Sequence, residues 1–492
     1  MPFQLTVIYD DRIALPLEIE EIIGASRFSD ILRRRIPLGE EIRRAVVQGG
    51  CEDFFHLLDN RDAHFLRDLI DTSPTDRIFL RLPSCLMPTL PDTLAGLIAQ
   101  AAYSPGSMLL APPMEGEAPA LLTTSDILPL LHPYDPALVR ELLLTPAFLA
   151  AIRPDQCGFV DLRRPSQFLA YMGGATETRL FNATRTERWT LRKMSADRQK
   201  MAAEYGFFHV APEILKPFLL PTFDFTDDGR TAGYTMERLA IPDAALQFIH
   251  HAFDEASFTV LIERFLAFVQ ARPLRRDGVQ AVRETARKTI LGKMNDRLEQ
   301  FLQQPAGQRL DALLAASGTM GSLQKMASRA RILIAEAIAR DPSDALAVGH
   351  GDPCFSNILF DRRTGVFRLI DPRGARHLDE AWMHPLYDLA KFSHSVLGGY
   401  DFVNNDLFDG VIDSTLCLQL NLQNGGPPSW CRTIFLDRLS QAAFTPDMLT
   451  IIRAYELSLF MSMLPLHMDH PRKLLGFALI AANLIHELES RK

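Results

Sequence analysis

The sequence predicts an α+β protein in three parts: a separate α/β domain, a small β-rich unit carrying one helix, and a mostly helical remainder. Three observations carry this. Strand-like and helix-like pieces alternate over residues 1–160; a glycine pair and short strands mark 166–239; helical periodicity dominates 240–492, except at one polar hairpin. A chain of 492 residues is also too long for one ordinary core.

In the front part, LTVIYDD, RIFLRLP, SMLLAPP and PALLTT read as strands, and LEIEEIIGAS, EEIRRAVVQG and DTLAGLIAQAAY as helices. Prolines cluster between 133 and 154, which puts a boundary near 155–165. The second part contains YMGGATETRLFNA, a hairpin at TRTE, the strand-like ERWTLRKM, a helical SADRQKMAAEYGFF and the strand GYTMERL. In the third part, ASFTVLIERFLAFVQA, TARKTILGKMNDRLEQFLQQ and LQKMASRARILIAEAIARD have apolar residues at helical spacing. Between them, NILFD and VFRLID flank a turn at DRRTG.

Composition narrows the function classes. The net charge of −8, without a Lys/Arg-rich stripe, argues against nucleic acid as partner. Six scattered cysteines without CxxC spacing read as free thiols in a reducing compartment. The N-terminus does not look like a signal peptide, and the apolar run Leu474 to Ile485 is short of a membrane span and interrupted by Gly476 and Asn483. A cytoplasmic protein with no membrane span is the expectation.

The hairpin carries the chemistry. VGHGDPCFSNILFD places His350, Asp352 and Asn357 on one loop, and Asp371 follows the strand VFRLI. Phosphoryl transfer from ATP needs a carboxylate to take the acceptor's proton, oxygen ligands for magnesium, a cation on the phosphates and a backbone that wraps them. Asp352 suits the first role; Asn357 and Asp371 are hard oxygen donors suited to magnesium. An Asp, four residues, an Asn, then a second strand ending in Asp is the spacing of kinase catalytic and metal-binding loops. A hydrolase-type metal cluster of His350, Asp352, Asp371 and His377 would leave Asn357 unexplained. His350 and Asp388 read as structural supports of the loop.

HGDPCFSNILFD…LIDPRG…PLYDLAKF resembles the aminoglycoside phosphotransferase/choline kinase-like family, and DLAKFSHSVLGGYDF looks closest to members associated with capsule and surface-polysaccharide biosynthesis. The resemblance implies a bilobal protein-kinase-like fold, with a small β-rich N-lobe over 166–239 and a mostly helical C-lobe over 240–492. It also implies ATP and Mg as cofactors and a small-molecule acceptor, such as a sugar or amino alcohol. In such kinases a glycine-rich turn between two strands covers the phosphates; Gly173 and Gly174 fit, with Thr176 as an extra donor. A strand cation follows. Arg192 and Lys193 lie on opposite faces of one strand, and Lys193, sharing a face with Trp189 and Leu191, is favoured. Glu204 is its expected helix partner, and Glu237 falls where a hinge strand offers its backbone to adenine.

Two matters stay open at this level. Asp379, Glu380 and Asp401 would suit a cationic acceptor, whereas Trp382, Tyr387 and Tyr400 would stack on a sugar ring. The front domain, 1–160, lacks a phosphate-binding glycine fingerprint; its texture is faintly that of a sugar nucleotidyltransferase, degenerate or serving to bind or dimerise. The competing classes are a kinase-fold scaffold presenting that domain to partners, and a bifunctional kinase plus nucleotidyltransferase. A homodimer is also open.

Overall fold

The computed structural model describes the chain except for residues 1–3, 25–26, 34–35, 73–76, 105, 152–157, 174–181, 187–189, 240, 318–320, 415–416 and 491–492. It divides into two compact units, Met1–Thr176 and Glu177–Lys492. The division falls beyond the boundary expected near 155–165. The reason is the helix Pro165–Gly173, whose Phe168, Tyr171 and Met172 are buried. Tyr171 meets Arg33 of the first unit, whose guanidinium lies 4.0 Å from the ring centroid.

The first unit holds a five-stranded sheet. Its order is Phe54–Leu57, Gln4–Asp10, Arg77–Pro83, Ala120–Thr123, Met108–Leu109, with the first three strands parallel and the remaining pairings antiparallel. Parallel neighbours need crossovers, and Leu38–Gln48 and Asn60–Thr72 are helices of those connections. Ile8, Phe79 and Leu122 from adjacent strands pack with Leu66 of Asn60–Thr72 in one core. Arg81, fully buried in the sheet, is matched by Asp10 at 2.9 Å and Glu117 at 2.7 Å.

In the second unit, four antiparallel strands come first, in the order Asn182–Thr186, Thr190–Ser195, Ala232–Glu237, Thr222–Asp227. The helix Arg198–Val210 crosses from the second to the last of these; Asp197 caps it by accepting from Lys200 N at 3.1 Å. Met201 of this helix packs with Ala232, Tyr234 and Met236 of the sheet.

The rest of the unit is mostly helical and frames two small β elements that position the site. The hairpin Ile358–Asp361 with Val366–Leu369 turns at Gly365, whose φ of 69° suits glycine. The three-stranded sheet Leu274–Arg276, Ala345–Val348, Trp382–Met383 anchors the chain just before the loop 349–357. One helix, Pro446–Met463, is with its continuation to His467 long and apolar enough to cross a membrane, but residues 451–464 are buried in the protein. The run Leu474 to Ile485 lies in the helix Pro471–Ser490, mostly buried.

Candidate active site

Two elements adjacent in sequence and a third far along the chain meet at Lys193. The ammonium, on the strand Thr190–Ser195, lies 2.6 Å from Glu204 on the neighbouring helix and 3.0 Å from Asp371 at the end of the hairpin. Tyr234 donates to the same Glu204 at 3.1 Å. Burial alone would lower the lysine's pKa, but Asp371 and Glu204 outweigh it and hold it above its ordinary value, so Lys193 stays charged. Arg192 points the other way, donating to Thr226 at 2.6 Å and Thr235 at 3.4 Å. Strand alternation therefore separates the two cations.

The turn after Asp371 locks the helix in place. Asp371 has φ 55°, a left-handed conformation uncommon outside glycine. Gly374 follows at φ 94°, and a Cβ there would lie 2.4 Å from the carbonyl carbon of Ala203. Ala375 N donates to Ala203 O at 2.9 Å. Backbone thus presses on backbone next to Glu204, fixing the distance from Glu204 to Asp371.

The loop 349–357 is held from below by one carboxylate. Asp388, fully buried, accepts from His350 N at 3.0 Å and Gly351 N at 2.8 Å, and Arg272 neutralises it at 3.2 Å. Gly351 has φ 83° and leaves room for Arg373, whose Cβ would be 2.7 Å from a side chain there. His350 is buried; its Nδ1 accepts from Asp352 N at 3.3 Å, and burial pushes its pKa down, so the ring is neutral. It supports the loop.

Asp352 remains about a third exposed and pairs with Lys391 at 2.8 Å. Burial would raise its pKa, but the charge and hydrogen bond of Lys391 hold it well below the usual carboxylate range. Asn357 donates its side-chain amide to Asp352 O at 2.9 Å, and its carbonyl accepts from Ile370 N at 3.0 Å. The amide nitrogen being engaged, the Oδ1 of Asn357 is the atom left for a cation, one residue along the pairing from Asp371.

Among the described residues no group of three or more His, Cys, Asp or Glu side chains could hold a metal, so the four-residue hydrolase cluster is not formed. One carboxylate and one amide oxygen are instead a set that fits magnesium, which keeps waters and shares its shell with phosphates. Next to them a solvent-open cleft is lined by Phe207, Leu220, Met236 and Ile370 together with Glu204 and Asp371. Apolar walls beside a fixed lysine and two carboxylates are compatible with a nucleotide.

One expectation needs correction. Gly173 does not form a turn between strands: it ends the helix Pro165–Gly173 of the first unit, because the apolar run preceding it is helical and buried there. Gly174 and Thr176 lie outside the described residues. Glu237 ends its strand, where its N–H donates to Pro221 O at 3.3 Å. Lys391 is the residue that the sequence reading missed. It stands one helical turn after Asp388 in Tyr387–Val396, a spacing that puts both on the side facing the loop.

No family model matches the chain, and no curated protein matches its sequence. Solved structures with some similarity include a thermostable mutant of aminoglycoside phosphotransferase APH(4)-Ia with ADP and hygromycin B, at 12% identity and TM-score 0.37 over 63% of this chain and 94% of that one. A fructosamine-3-kinase, so described, from Haemophilus somnus aligns at 12% identity and TM-score 0.33 over 66% and 96%. A choline kinase from Cryptosporidium parvum aligns at 14% and 0.29 over 64% and 87%. Scores this low leave the chain's own geometry to bear the functional reading.

Proposed function

We propose that the chain is an ATP- and magnesium-dependent phosphotransferase with a protein-kinase-like second unit, acting on a hydroxyl group of a small molecule. The observation that carries this reading is the double ion pair of Lys193 with Glu204 and Asp371, formed across three separate elements beside the Asp352–Asn357 loop. Lys193 would bind phosphate oxygens while Glu204 holds its position. Asp371 and the Oδ1 of Asn357 would hold magnesium, which when bound supplies positive charge to the phosphates. Asp352 orients the acceptor hydroxyl and takes its proton as the oxygen bonds to the γ-phosphorus and the bond to the departing ADP breaks. Lys391 holds the Asp352 carboxylate in place. Because the transition state is loose, position matters more than basicity.

The test is ATP consumption by the full chain with magnesium over a panel of acceptors, run beside Asp352→Asn and Lys193→Ala. Acceptor-stimulated turnover lost in Asp352→Asn and nucleotide affinity lost in Lys193→Ala are the expected pair of results. The placement of Gly173 in a helix favours a second reading, a scaffold that retains the lobes without turnover. Magnesium-independent, acceptor-indifferent behaviour of the wild type would select it. A role in surface-polysaccharide metabolism rests on the run DLAKFSHSVLGGYDF, and a nucleotidyltransferase activity of the first unit rests on its α/β texture alone.

A further inference from the structure

Beyond the Asp352–Lys391 pair, the loop is flanked by cations without matching carboxylates. Arg373 follows the candidate metal turn. Its backbone N donates to His350 O at 2.9 Å, and its guanidinium donates to the Tyr387 hydroxyl at 2.6 Å with its centre 4.8 Å from that ring's centroid. Among the described residues it has no ion pair, although Asp352 and Asp388 act on it from farther away. Lys293 opens the helix Lys293–Leu302 directly after a π-helical turn, Arg287–Gly292, an irregularity frequent at functional sites. Its ammonium too has no ion pair or hydrogen bond among the described residues. The charges that reach it are Arg373, Arg297 and Lys391, all of its own sign, and Asp352. Burial first, and then those three cations, push its pKa down to about 7.

Arg373, Lys293 and Lys391 therefore gather around the candidate base Asp352, in a chain of net charge −8. Gathering like charges in partly buried positions costs stability, and folding alone would favour a carboxylate among them. The acidic residues that would suit a cationic acceptor do not supply it. Asp379 is 93% exposed with Arg275 4.0 Å away, Glu380 accepts from Arg376 N at 2.7 Å, and Asp401 is buried.

From the juxtaposition of Arg373, Lys293 and Lys391 around Asp352, we infer that the acceptor site takes an anionic acceptor, a hydroxyl compound bearing a phosphate or carboxylate group. This rests on the kinase reading and names its substrate class. Arg373, its plane steadied by Tyr387, would grip the anionic group, and Lys293 would add charge from the opposite element. Lys391 stays with the base. The acceptor hydroxyl then lies toward Asp352 and the anionic group toward Lys293.

The experiment compares matched probes with the full chain, ATP and magnesium: glycerate against glycerol, glucose phosphate against glucose, and glucosamine. Calorimetric binding of the same probes is measured in the presence of a non-hydrolysable ATP analogue. Phosphorylation of an anionic member in preference to its neutral partner is expected. Lys293→Gln should raise the KM for that anionic acceptor by about tenfold or more, with little change in kcat or ATP affinity, and Lys293→Arg should restore it. Preferred turnover of glycerol, glucose or glucosamine would overturn the inference and leave the kinase reading intact. A fall in kcat of Lys293→Gln for all acceptors alike would also overturn it, since the cations would then serve the transferring phosphoryl group. Lys293-dependent binding of the anionic probes with no transfer to any acceptor would overturn the kinase reading instead, and sustain the anion site.

Discussion

Asp352 is poised between two opposing influences, burial that favours its neutral form and Lys391 at 2.8 Å that favours its charge. The lysine prevails, so the carboxylate is ionised throughout the neutral and mildly acid range. Two results follow at this scale. Asp352→Asn should lower turnover by roughly 10²–10⁴-fold, the usual worth of a general base, while nucleotide binding measured by calorimetry stays near wild type. The pH–rate profile of the wild type should show no acid limb from this group above about pH 5. Lys391→Met removes the winning influence and leaves burial, so an acid limb should move up toward neutrality; an unchanged profile would refute the pairing as the cause. Asp352, Asn357 and Asp371 stood out as a short pattern with fixed spacing, whereas Lys193 was singled out by strand alternation and Glu204 by the family resemblance. Lys391, Arg373 and Lys293 were not legible as a group, since only the fold brings residues from 293, 373 and 391 around one carboxylate.

At the scale of elements, the contact between the helix Arg198–Val210 and the turn after Asp371 decides whether Lys193 and Glu204 meet Asp371. Gly374→Ala tests this. It combines strain at φ 94° with a Cβ 2.4 Å from backbone of Ala203, which cannot yield as a side-chain tip would. The helix must shift, and nucleotide affinity should fall by about tenfold or more, equivalent to about 1.4 kcal/mol. Gly229→Ala is the matched control. It has φ 84° in the turn of its hairpin with nothing within 4 Å, so it carries the backbone strain without the collision. Equal losses in the two variants would show that the contact does not position the site.

Most elements were readable where one period ran long enough. Glu255–Ala271 and Leu323–Arg340 follow their apolar spacing, and the hairpin Ile358–Asp361 with Val366–Leu369 follows its turn residues. The strand Phe54–Leu57 was not seen: it is four residues long, at the edge of its sheet and only partly buried, so alternation has no room to appear. The hairpin of Phe408–Ile412 with Leu418–Leu422, five residues a side and largely solvent-facing, was also not seen. Gly173 misled because a two-residue signal was weighed without the helical run before it.

For the molecule as a whole, buried ionisable groups in the second unit should set its response to acid, and they pull in opposite directions. His394 is buried and pushed down to about 3, by burial and then by the charge of Lys391. The unfolded chain takes up that proton near pH 6.5 and the folded chain does not, so stability present above that pH is lost as pH falls toward 3. His350, also lowered by burial, acts in the same sense. Asp401 does the reverse. Burial lifts it to about 7, so on acidification the folded chain binds a proton that the unfolded one takes only near pH 4, and stability rises over that window. Asp243, lifted by burial to about 6, adds to it. The His394 and Asp401 excursions are each worth at most on the order of 4 kcal/mol, so they nearly cancel. Below about pH 4 nothing offsets the loss from Asp352 and from Asp341, held at about 2 against burial by His384. The three tryptophans, Trp189, Trp382 and Trp430, all belong to the second unit, so denaturation followed by their fluorescence reports on it alone. The wild-type midpoint in denaturant should stay nearly level from pH 7 to about 4 and drop sharply below. Asp401→Asn should leave the histidines unopposed, so that the midpoint falls steadily over the same range. His394→Gln should make it rise as the solution becomes more acid. If both variants kept the level profile of the wild type, these buried groups would not be what shapes the acid response.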